Sequence, residues 1–247
     1  MPAGFELKAK VKERSYKNLY ALFVGIEKFQ DTNIGALYGS ADDAAGLATV
    51  FRENADLHAS GSHHICLLTD QEAKRAIILE KLTEYIHTAQ AGDLLLCYIS
   101  THGLIDYGDY YFFPNDCSLR NILGTGISAT TMTNALSAAS TAGTKVLMII
   151  DACHSGAIGF DLSKYKGEFC CMLSSSPVEY SYETFDRERS VFTYPLTQGL
   201  LGKARDGGAP TLIELFDYVY KEVQKQTRKN QNPLLMGTMQ YNTVLLT

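Results

Sequence analysis

The chain contains no tryptophan and only six prolines in 247 residues. It has no apolar run near the roughly 20 residues that a membrane-spanning helix needs, so no membrane span is expected. It has no Cys-x-x-Cys pair. Its cysteines, at 66, 97, 117, 153, 170 and 171, lie mostly in apolar strand-like runs and read as small buried hydrophobes. A chain of this size needs no disulfide scaffold, and a reducing, cytoplasmic setting is expected. Basic excess is also missing. A net charge of -5 and a pI near 5.7 exclude a surface built to neutralise phosphates, and with it non-specific nucleic-acid binding. The opening M-P-A-G-F-E-L-K-A-K-V-K-E-R is broken by charges and lacks the apolar core of a signal peptide. Residues 1–18 therefore read as a charged extension. No repeat, low-complexity tract or composition break divides the rest, and with 46% hydrophobic residues one domain over 1–247 is expected.

What is present is an alternation of short apolar runs and helical patterns. Leu19–Ile26, Ile65–Leu68, Leu94–Ile99, Lys145–Ile150, Phe169–Leu173 and Leu234–Gly237 read as strands. Thr243–Leu246 reads as a further edge strand, and Tyr107–Pro114 as a small hairpin. Helices are expected over Ser40–Glu53, Gln71–Gln90, Ala129–Ala139, Val191–Leu201 and Thr211–Gln226. The last opens with a T-L-I-E capping box, and Ser40, with Asp43 three residues on, looks like another helix start. The βαβ spacing and uniformly apolar strands predict an α/β fold with a mainly parallel six-stranded sheet covered by helices on both faces.

In such sheets ligands bind beyond the carboxyl ends of the strands. Two strands deliver polar residues there. One runs into S-T-H-G with His102, the other into D-A-C-H-S-G with Cys153. A thiol is a poor nucleophile until a nearby imidazole takes its proton, which the imidazole can later give to a leaving amine. Gly103 and Gly156 would let a substrate backbone come close. Singly, either residue is ordinary core. At matching ends of neighbouring strands they make a candidate pair. His154 is a rival base, but adjacent residues of an extended chain point to opposite faces. His63, His64 and Cys66 lack the second pair of spaced ligands that a metal site needs.

These residues resemble the caspase–metacaspase family of cysteine peptidases. The likeness runs through Y-A-L-F-V-G-I, L-Y-G-S-A-D-D-A-A-G-L, G-D-L-L-L-C-Y-I-S-T-H-G, D-A-C-H-S-G and S-V-F-T-Y-P-L-T-Q-G-L-L. D-A-C-H-S-G is similar to the metacaspase nucleophile loop rather than the Q-A-C-R-G of animal caspases. His102 precedes Cys153 by 51 residues, close to the family's spacing. The resemblance implies a caspase-like three-layer sandwich, Cys153 as nucleophile, His102 as general base and acid, and an oxyanion hole from the backbone N–H groups of Gly103 and Cys153. It implies no acidic third member.

The same likeness bears on specificity. Asp151 replaces the Gln of Q-A-C-R-G, and Leu37 stands where animal caspases carry the arginine that binds a substrate aspartate. Two buried carboxylates facing each other would strand a charge at a cost of about 3–5 kcal/mol, whereas an acid facing arginine makes a charged pair. Cleavage after Arg or Lys is expected, with Glu183 as a second pocket acid and Glu179 as a third. An enzyme of that specificity could cut itself at Lys164 or Lys166, in a processing loop over 157–167, or at Arg187 or Arg189. Many metacaspases need calcium, but Asp106, Asp109 and Asp116 lack the dense carboxylate spacing of a dedicated site, so no metal or other cofactor is required on this reading. The resemblance further implies a protein or peptide substrate, an activating partner or a sensor domain outside this chain, and a role in regulated cell death or defence. A monomer is expected if the chain after Leu234 covers the sheet edge through which animal caspases pair. The contrasting reading is a non-catalytic caspase-like scaffold, which the presence of both Cys153 and His102 disfavours.

Overall fold

Strands in which every residue is apolar must be covered on both faces, and β1 (Leu19–Gly25) is buried along its whole length. The computed structural model describes residues 15–55, 61–158, 167–184, 189–206, 208–240 and 242–246. β1 is followed by α1 (Ser40–Ala55), β2 (His63–Thr69), α2 (Arg75–Thr88), β3 (Leu94–Ser100), β4 (Gly103–Asp106) and β5 (Asp109–Phe112). Then come α3 (Ile122–Thr125), β6 (Ile127–Ser128), α4 (Ala129–Thr141), β7 (Lys145–Asp151) and β8 (Phe169–Leu173). The chain ends with α5 (Thr193–Gln198), α6 (Leu212–Gln226) and β9 (Leu234–Gly237). The main sheet has six strands in the order β2-β1-β3-β7-β8-β9. All are parallel except β9, which runs antiparallel to β8. β4, β5 and β6 form a separate small antiparallel sheet.

Alternation along β1 divides the core. Leu19, Ala21 and Phe23 join Leu47 and Phe51 of α1, Leu196 of α5 and Leu215, Val219 and Val223 of α6. Tyr20, Leu22 and Val24 join Ile78 and Leu82 of α2, Met132 and Leu136 of α4, and Tyr110 and Phe112 of β5. This is the expected three-layer sandwich. Its sharpest local signal is at α6. Thr211 Oγ1 accepts from the Glu214 N–H while Glu214 accepts from the Thr211 N–H, closing the capping box.

Several expectations change. The helix expected over Gln71–Gln90 is split. Asp70 adopts a left-handed φ of 43°, its carboxylate accepts from the Glu27 and Lys28 N–H groups, and a short 3-10 turn precedes α2. The helix expected over Val191–Leu201 is α5, which widens into a π-type turn through Lys203. Thr243–Leu246 adds no edge strand. Among the described residues it forms an isolated bridge, Thr211 to Val244, is tied to Ser15 and Tyr16, and buries Val244, Leu245 and Leu246. Asp43 does not serve the start of α1. Glu27 accepts from the Ala41 N–H there, and the Asp43 carboxylate turns inward to the Ser190 N–H, 2.7 Å away.

Candidate active site

The register of β3 and β7 places the site. Ser100 is paired with Asp151, and two residues beyond each lie His102 and Cys153. Both line one cleft of about 360 Å³, together with Leu37, Tyr38, Ser40, Asp151, Ser181, Glu183 and Ser190. Of the residues singled out from the sequence, His102, Cys153, Asp151 and Glu183 thus converge.

The His102 Nε2 lies 2.8 Å from the Gly35 carbonyl oxygen. A carbonyl can only accept, so Nε2 carries the proton and Nδ1 remains the free acceptor. The ring is wedged between Phe29 and Phe113. Burial lowers its pKa, against the pull of the Gly35 carbonyl and the Glu183 carboxylate. The Cys153 Sγ lies 3.8 Å from the Ser181 carbonyl oxygen. Burial raises the thiol, and the negative charges of Asp151 and Glu183 raise it further. The resting pair is therefore a neutral thiol beside a neutral imidazole.

The loop carrying Cys153 is tied down by hydroxyls. The Ala152 N–H donates to Ser174 Oγ, and the Ser175 Oγ donates to the Ala152 carbonyl. The Ser175 N–H donates to Ser155 Oγ, and the Gly156 N–H donates to the Ser175 carbonyl. The S-S-S-P run after β8 thus holds the loop that carries Cys153. Tyr110, almost fully buried, donates its phenolic proton to the Cys153 carbonyl at 2.7 Å. The two glycines beside the pair also permit this close packing. A Cβ on Gly103 would lie 2.1 Å from the Tyr110 hydroxyl, and one on Gly156 would lie 2.7 Å from the Pro177 nitrogen. His154 points elsewhere because it takes a left-handed φ of 57°. Its ring meets the Pro177 carbonyl and Tyr180.

Asp151 is 5% exposed. Ser181 Oγ donates to its Oδ1 and Thr193 Oγ1 to its Oδ2, both at 2.7 Å. The Thr193 proton is spent on Asp151, so Tyr98 must donate to Thr193, 2.8 Å away. A carboxylate has about four acceptor sites, so lone pairs remain for a cation. Behind Ser190 lies Asp43, whose place in the sequence pattern is that of a helix-start residue. Burial, then the charge of Asp151, pushes its carboxyl up to about 8. Glu183 is half-buried and accepts from the Tyr38 N–H.

Other singled-out residues lie apart. The Glu179 carboxylate is held by the Asn232 backbone and side chain and by the Ser176 N–H, and it does not line the cleft. Arg189 is exposed and stacks over Tyr194, while its carbonyl accepts from the Thr184 N–H. Lys164, Lys166 and Arg187 fall outside the described residues. Asp109 caps the start of α4 through Ser128 and Thr130, and Asp116 accepts from the Arg75 N–H at the start of α2. These aspartates do not fit a calcium cage. Among the described residues no group of three or more His, Cys, Asp or Glu side chains is placed to hold a metal. Among the described residues no helix is long and apolar enough to cross a membrane.

The family profile of the caspase domain matches residues 18–244, so the chain belongs to the caspase-domain family of cysteine peptidases. Its fold is similar to that of caspase-1 from Spodoptera frugiperda, at 16% identity and a TM-score of 0.68, covering 95% of this chain and 91% of that one. A Geobacter sulfurreducens protein is similar at 17% identity and a TM-score of 0.67, covering 94% of this chain and all of that one. At those identities the likeness speaks for the fold. No curated protein matches the chain in sequence.

Proposed function

We propose that the protein is a cysteine endopeptidase that cuts peptide bonds after Arg or Lys. The observation that carries this reading is a single cleft in which a thiol, an imidazole with one free nitrogen and a buried carboxylate meet. His102 Nδ1 takes the Cys153 proton as sulfur adds to the scissile carbonyl. The backbone N–H groups of Gly103 and Cys153 receive the oxyanion. The imidazolium then gives its proton to the leaving amine, and water releases the acyl group by the reverse sequence. Asp151, with Glu183 at the rim, selects a cationic side chain before the cut bond, because a buried acid facing arginine is paired and one facing aspartate is not.

The same reading includes a cytoplasmic protein, consistent with six free cysteines. It also includes a monomer without an obligatory metal, and release from a zymogen by a partner or a sensor domain. Regulated cell death or defence is the setting the family likeness favours. Self-cleavage within 157–167 or at Arg187 or Arg189 belongs to it too. At Arg189 it would require opening the pairing with Thr184. Intact masses of wild type and Cys153→Ala that differ only by the substituted side chain, with no shorter fragments in wild type, would end that part.

The test is a fluorogenic panel with Arg, Lys, Asp or Leu before the scissile bond, on wild type and Cys153→Ala, with and without calcium. Cleavage after Arg or Lys, lost in the variant, is expected. Cleavage after Asp or Leu would overturn the role of Asp151. Silence from a folded, processed protein would favour the non-catalytic scaffold.

A further inference from the structure

Gln231 has no exposed surface at all, although it sits in a turn after α6 that does not line the cleft. Burying an amide is costly unless its polar atoms are bonded, and here they are. Its Oε1 accepts from the Tyr182 N–H at 2.9 Å. Its Nε2 donates to the Ser174 carbonyl at 2.9 Å and reaches Ser181 Oγ at 3.4 Å. The Tyr182 N–H can only donate and the Ser174 carbonyl can only accept, so the amide has one orientation. The turn is itself fixed. Arg228 and Lys229 take left-handed φ values, the Gln231 N–H donates to Thr227 Oγ1, and Asn232 grips Glu179 on the neighbouring stretch of wall.

Two partners of Gln231 are residues of the candidate specificity pocket. Ser181 and Tyr182 line it, and the Ser181 hydroxyl that Nε2 reaches is the one that donates to Asp151 Oδ1. We propose that Gln231 is the positioning residue of the substrate pocket, holding the wall Ser181–Glu183 at the distance from Asp151 that admits a guanidinium or ammonium group. It acts through Ser181 and Tyr182 and touches no substrate. This assignment rests on the reading of Asp151 as the acid that receives a basic side chain.

The test uses agmatine, a mimic of the arginine side chain, and needs no turnover. Alkylation of Cys153 by iodoacetamide is followed by mass spectrometry of its peptide, with increasing agmatine, in wild type and Gln231→Met. The methionine keeps length and volume and drops only the polar head. Agmatine should protect wild type. In the variant the protecting concentration should rise about tenfold, while alkylation without agmatine stays within about twofold of wild type. If the variant melts earlier but is protected equally well, Gln231 is a stability residue and the proposal fails. If wild type itself is not protected, the acidic-pocket reading fails instead. Should Gln231→Met not fold, Gln231→Asn withdraws the head by one methylene while remaining polar, and the same weakening is expected from it.

Discussion

At the scale of single residues, the cleft is governed by what burial does to ionisable groups. Burial raises the Cys153 thiol and lowers the His102 imidazole, so the pair waits uncharged and the proton moves only on attack. Iodoacetamide consumes thiolate, and the alkylation rate of Cys153 should keep climbing from about pH 7 to about pH 9. A plateau already reached near pH 6 would reveal a preformed ion pair. Asp43 is the second case. Its carboxyl titrates near 3.8 in an unfolded chain and near 8 when folded, so the folded state holds the proton longer. The stability this contributes is complete below about 3.8 and is lost as pH rises towards 8. Asp43→Asn keeps an oxygen for the Ser190 N–H. It should raise the melting temperature at pH 8 by about 2–4 °C and change it little at pH 4. Equal gains at both would show a carboxyl that ionises normally. Neither effect was legible from residue types alone. Asp43 read as a helix-start residue because burial against Ser190, 147 positions away, is not a local property.

At the scale of elements, the strands and most helices follow from local pattern, and the site depends on how their ends are fastened. The β4–β5 hairpin supplies Tyr110, whose hydroxyl packs against Gly103 and donates to the Cys153 carbonyl. Tyr110→Phe keeps the buried ring and loses that bond. It should lower turnover about tenfold with KM near wild type. Unchanged turnover would mean that the serine contacts hold the nucleophile loop unaided. Gly103→Ala should abolish activity, since its Cβ would overlap the Tyr110 hydroxyl. The hairpin was visible in Y-G-D-Y-Y-F-F-P, but its task was not. The break before α2 was hidden for a similar reason, because the amides that trap Asp70 come from the turn just after β1.

At the scale of the whole molecule, the order β2-β1-β3-β7-β8-β9 is decisive. It sets β3 beside β7 in register, and so brings a histidine and a cysteine 51 residues apart to one strand-end cleft. The order leaves β9 as an edge. That strand is four residues long, and the bridge made by Val244 is to Thr211 rather than to β9. Short edge strands pair weakly, and sedimentation at micromolar concentration should show a monomer. A dimer broken by a proline at Leu235 would instead make β9 the joint.

The sequence by itself determined the layered α/β fold, the capping box of α6, and the presence of Cys153, His102 and Asp151 at strand ends. Apolar period and capping chemistry act between near neighbours, and a motif such as D-A-C-H-S-G keeps its residues together. Only the tertiary structure decided which histidine nitrogen is free, which hydroxyls hold Asp151, that Asp43 backs the pocket, and that Glu179 faces Asn232. Those outcomes turn on backbone carbonyls and amides and on common hydroxyl and amide side chains, which carry no local signature of their partner. Which of them meet is settled by packing between segments far apart in the chain.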